Sequence, residues 1–133
     1  MYTTIEVSVG EGCLCIKSTI VKTNDGISIY IGGGQKPHIG TVVISQPRKS
    51  LTGDRVIKCT TSVINTLGHK DDEIAIPIAE EICKKFEVTT VVTAGVHIDD
   101  ANDLDIKQLK SNSEILMSLM TSAIEEKFYN YYI

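Results

Sequence analysis

The spacing of apolar residues changes once along this chain, and the change divides it into a strand-forming and a helix-forming part. Up to Asn65 apolar side chains tend to recur at every second position. Ile5, Val7 and Val9 alternate with Glu6 and Ser8, and Ile27, Ile29 and Ile31 alternate with Ser28 and Tyr30. Successive side chains of a strand point to opposite faces, so this period gives each strand one apolar face. After Gly68 the period lengthens: Ile74, Ile78, Ile82 and Phe86 stand four apart, on one side of a helix.

Turn residues divide the first part into five predicted strands. The first is Thr3 to Val9, followed by a turn at Glu11-Gly12, and the second runs from Leu14 to Val21. Asn24-Asp25-Gly26 is a hairpin signal, because these residues tolerate the positive φ of tight turns. The third strand follows and is broken by Gly32-Gly33-Gly34, expected to be a hairpin loop rather than a phosphate cradle. The fourth runs from about His38 to Gln46. Pro47 to Asp54 is a polar connection, and Arg55 to Asn65 is the fifth.

A helix is expected over Asp71 to Phe86, with acids in its first turn and Lys84-Lys85 in its last, as the helix dipole favours. Pro77 should delay its start or kink it. Val88 to Val96 makes a sixth, buried strand. Asn102 or Asp103 caps a last helix, whose inner stripe is Ile106, Leu109, Ser113, Leu116, Met120 and Ile124. The order is βββββαβα. It implies one α+β domain over residues 1–133, a mostly antiparallel sheet of about six strands with two helices on one face. The β-α-β step makes one parallel pair with a right-handed crossover.

Composition narrows the function classes. The net charge of -4 argues against nucleic-acid binding, which needs a clustered basic face. No apolar run approaches the ~20 residues of a membrane-spanning helix. The first residues lack the basic and apolar regions of a signal peptide, so the cytoplasm is the expected location. Cys13, Cys15, Cys59 and Cys83 include no Cys-x-x-Cys pair, and core positions are expected for most of them.

The candidate chemistry lies in three histidines, each close to a glycine at the edge of an element. His38 stands in Lys36-Pro37-His38-Ile39-Gly40, His69 in Gly68-His69-Lys70-Asp71-Asp72-Glu73, and His97 in Gly95-Val96-His97-Ile98-Asp99. Glycine lets a ligand approach the backbone closely. A helix start near Lys70 offers free N–H groups to a phosphate, although Asp71 and Asp72 already answer the dipole. His97 and Asp99 fall at the end of a parallel-paired strand, a usual ligand crevice. The three histidines are expected to mark one site. They lack the short spacings of a zinc site, and no nucleophile elbow or Walker A loop is present.

Three segments, Gly33 to Gly40, Gly68 to Glu73 and Ala94 to Asp99, together resemble the small accessory subunit of non-oxidative hydroxyarylic acid decarboxylases of the gallate, vanillate and 4-hydroxybenzoate type. That family is also described as a prenylated-flavin chaperone, with a fold like proteasome assembly chaperones. The resemblance implies a non-catalytic accessory protein that binds prenylated FMN or delivers it to a large decarboxylase subunit. It carries over Lys36, His38, His69, Lys70, His97 and Asp99 as cofactor-binding residues. Lys36, His69 and Lys70 suit the phosphate, and His38, His97 and Asp99 suit the ring or ribityl chain. A homodimer is expected. A small histidine-dependent enzyme, with or without a metal, and an assembly factor with no small ligand stand as alternatives.

Overall fold

The computed structural model describes residues 3–66 and 71–130. The expected order is observed: β1 (Thr3–Val9), β2 (Ile16–Lys22), β3 (Gly26–Gly34), β4 (Thr41–Lys49), β5 (Ile57–Asn65), α1 (Asp72–Phe86), β6 (Thr89–His97) and α2 (Asp103–Phe128). The six strands form one sheet in the order β1-β2-β3-β6-β4-β5. The sheet is mixed. β3 and β6 run parallel, in the register Ile29 to Val92 and Ile31 to Ala94, and every other pair is antiparallel.

Alternation decides which face is covered. Ile16 and Ile20 of β2, Ile29 and Ile31 of β3, Val43 of β4 and Val92 of β6 are buried on one side. Both helices pack on that side, α1 over β4, β6 and β5 and α2 over β1 and β2. Ile78 and Ile82 of α1 and Leu116, Met120 and Ile124 of α2 close the core. Fully burying one such side chain contributes about 1.5–3 kcal/mol. α1 and α2 touch each other little along their lengths, which leaves a groove between them.

Several boundaries differ from the sequence expectation for local reasons. Gly12–Leu14 forms a 3₁₀ turn, so β2 begins at Ile16. Gly32 to Gly34 are no loop: they complete β3, where the pairing with β2 and β6 supplies hydrogen bonds that local propensity cannot. β4 begins at Thr41 and continues through Pro47 to Lys49, paired with β5. Pro47 is tolerated because β6 pairs β4 only as far as Ser45. α1 starts at Asp72 and accommodates Pro77 in its interior.

At the start of α2, Asn102 accepts from the Asp105 N–H while the Asp105 side chain accepts from the Asn102 N–H, a reciprocal cap. At its end Tyr129 stacks on Phe86 with ring centroids 4.8 Å apart. Only Cys83 is buried; Cys13 is exposed, and Cys15 and Cys59 are intermediate. Ile106, expected on the inner stripe, is 57% exposed and borders the groove.

Candidate functional site

The parallel pair brings the ends of β3 and β6 together, with Gly34 opposite His97. The segment entering β4 returns to the same place. The His38 N–H donates to the Gly95 carbonyl at 3.3 Å, and the Gly40 N–H donates to that of Ala94 at 2.8 Å. The His38 and His97 rings consequently meet edge to face, with centroids 6.2 Å apart. Two of the three histidines therefore converge. His69 and Lys70 lie outside the described residues.

Around His97 the site is a surface network. The His97 Nε2 is 2.9 Å from Asp99 Oδ1, and the Lys36 ammonium lies 3.2 Å from Asp99 Oδ2. The Asp99 N–H donates to Gln35 Oε1 at 2.8 Å, and the Gln35 N–H donates to the His97 carbonyl at 2.7 Å. Hydrogen bonds from His97 and Lys36 hold the Asp99 carboxyl below its ordinary range. Lys36, expected to serve a phosphate, is thus paired with Asp99, and a bound anion would share it.

Around His38 the site is more buried. The His38 Nδ1 lies 3.0 Å from the Lys36 carbonyl and its Nε2 3.4 Å from Asp71 Oδ2. Both ring nitrogens face oxygen acceptors, and an imidazolium can donate to both at once. The Tyr30 hydroxyl donates to the His38 carbonyl at 2.9 Å. Burial first, and then the charge of Asp71, push the Tyr30 phenol above its ordinary value.

By sequence Asp71 is simply an acid answering the helix dipole. Its carboxylate makes no helix cap; it turns to β6 and accepts the Val96 N–H at 2.9 Å. With 8% of its surface exposed, it is the buried charge about which His38 is oriented. Two glycines make the arrangement possible. A Cβ on Gly40 would overlap the Asp71 carboxylate, and one on Gly95 would overlap the His38 carbonyl. These missing side chains were the available signal, since a glycine in a strand often marks close approach by another group. Tyr30 and Gln35 gave no such signal.

The site borders the groove between the helices, a cavity of about 980 Å³. Ile74, Val96, Ile106 and Leu109 give it apolar walls, and Asp71, Asp72, His97 and Lys110 line it with polar groups. Its size matches pockets that hold small organic ligands, roughly 300–1,000 Å³. Among the described residues no three His, Cys, Asp or Glu side chains are grouped to hold a metal ion.

Residues 10–125 match the prenylated flavin chaperone LpdD-like domain. The chain belongs to this family. The matched span of this LpdD-like chain takes in Lys36, His38, Asp71, His97 and Asp99. Among solved structures, it is similar to a chain in the crystal structure of a novel chaperone complex for yeast 20S proteasome assembly. The TM-score is 0.59 at 18% identity, over 94% of this chain and 96% of that one. The LpdD-like chain thus shares the fold of that assembly chaperone, and at such identity the likeness concerns fold alone. No curated protein matches it significantly by sequence.

Proposed function

We propose that this chain binds prenylated FMN at the meeting of His38 and His97 with the inter-helix groove, and delivers it to the large subunit of a hydroxyarylic acid decarboxylase. The carrying observation is the convergence, at one end of the groove, of the Lys36–Asp99–His97 network and the His38–Asp71 pair. The donor set suits the ligand. Lys36 and His97 offer positive or donating groups for a phosphate, and His69 and Lys70 belong to the same proposal. His38 and Asp99 suit polar groups of the ring or ribityl chain, and Ile74, Val96, Ile106 and Leu109 offer apolar surface to the prenylated ring system. The cofactor supplies its chemistry in the partner enzyme. Here the residues bind and orient it, and the chain is non-catalytic.

The partners in this reading are the large subunit and a second copy of the chain, in the cytoplasm. Leu104, Ile115 and Leu119 form an exposed apolar stripe on α2 that either protein would cover.

Co-expression with a flavin prenyltransferase tests the reading. The purified protein should carry flavin absorbance, and reduced prenylated FMN should raise its melting temperature. A colourless protein with an unchanged melting temperature would refute it.

A further inference from the structure

Both helices lie on one side of the sheet. Ile20, Ile29, Val43 and Val92 are buried beneath them, so their chain neighbours point to the other side. Strand pairing aligns those neighbours in two rows across β2, β3, β6, β4 and β5. One row passes through Val21, Val91 and Ile44, and the next through Tyr30, Val42 and Ile64. Serine or threonine fills the remaining places, and neither row holds a charged side chain. Among the described residues no helix covers this face.

Charge on this face is confined to its margins. Glu6 and Lys17 pair at 3.1 Å on β1 and β2, and Arg48 and Lys58 stand where β4 and β5 run past the start of β6. An uncharged centre within a polar rim is the anatomy of a protein interface.

The dimensions choose the occupant. Six strands about 4.8 Å apart and about 25 Å long make a face of roughly 600 Å². Two such faces come to about 1,200 Å², where the range for specific interfaces begins. A single helix, about 10 Å across, would span only about two of the strands. A second sheet of the same twist spans them all, packed at about 30°. A face with an uncharged centre also meets its own copy without repulsion, as a two-fold interface requires.

We propose that two copies of this chain pack these sheet faces together about a two-fold axis, as a sandwich with both pairs of helices outside. The inference rests on the homodimer of the proposed function and gives that dimer its surface; it does not depend on flavin binding. It leaves the α2 stripe of Leu104, Ile115 and Leu119 to the large subunit. It also sets Tyr30, whose hydroxyl donates to the His38 carbonyl, between the dimer interface and the histidine site.

Light scattering on the full chain and three variants tests this. Ser28 is exposed and stands between Val21 and Val91, so Ser28→Arg suits a single chain but buries a charge in the middle of the dimer. The wild type should run at twice the 14.5 kDa of one chain, with a melting temperature that rises with protein concentration. Ser28→Arg should run as one chain, its dissociation constant raised about hundredfold or more, and melt at a temperature independent of concentration. Ile64→Lys, on the exposed edge strand, gives the same readout if Ser28→Arg does not fold. Leu119→Arg, on the α2 stripe, should remain a dimer. A dimer that survives Ser28→Arg and Ile64→Lys overturns the inference alone, as does one lost in Leu119→Arg. A monomeric wild type removes the homodimer reading, and this one with it.

Discussion

Asp71 Oδ2 lies 3.4 Å from His38 Nε2, while Oδ1 of the same carboxylate accepts the Val96 N–H at 2.9 Å. One buried acid therefore ties the start of α1 to the end of β6 and to the segment entering β4. Asp71→Ala leaves the Val96 N–H without its acceptor and removes the carboxylate that His38 Nε2 faces. The expected loss is about 1–3 kcal/mol, the cost of stranding a buried polar group. Asp71→Asn keeps an acceptor and should lose less. Urea unfolding of the two variants checks the order.

Gly95→Ala places a methyl group against the His38 carbonyl. Backbone cannot yield as a flexible side chain does, so the β4 entry must shift. A destabilisation of about 1–3 kcal/mol is expected, as for other overpacked positions. The imidazole resonances of His38 and His97 should move in NMR spectra, because the edge-to-face contact opens.

The cysteines should react in order of access. Cys13 is exposed, and a maleimide should label it in the native protein. Burial pushes the Cys83 thiol up to about 11, so it carries little thiolate near neutral pH and should label only on unfolding. Cys59 is partly buried and donates to Glu80 Oε2 at 3.3 Å; its raised value, caused mainly by burial, should make it slow. Mass spectrometry of labelled peptides with and without urea gives the order.

Alkaline pH should weaken the fold through Tyr30. Burial and the Asp71 charge raise its folded value above the ordinary 10.0. Above pH 10 the unfolded chain has released a proton that the folded chain still holds, so stability falls as pH rises through that range. Cys83 acts in the same direction, with its folded value about 11. Tyr30→Phe should flatten part of the decline. Unfolding free energies measured from pH 8 to 11 test this.

Much of the fold was legible because its signals are local. Period-two spacing marked β1 and β3, period-four spacing marked α1, and Asn102 announced the cap of α2. The misplaced boundaries were those fixed by pairing partners. Gly32 to Gly34 look like a loop until β2 and β6 flank them, and Pro47 looks like a strand stop until β6 is seen to end short of it. Of the residues singled out by sequence, Lys36, His38, His97 and Asp99 lie near one another, and His69 and Lys70 fall outside the described residues. Asp71 was missed because an acid at a helix start has an ordinary explanation, and only the chain fold turns its side chain toward β6.

The stacking of Phe86 on Tyr129 fastens α1 and α2 together at the end of α1 remote from the histidines, helped by an ion pair between Lys85 and Glu125 at 3.3 Å. From Phe86 back to Asp72 the helix is about 21 Å long at 1.5 Å per residue. The contact that joins the two helices therefore stands about one helix length away from His97 and Ile106, which line the groove.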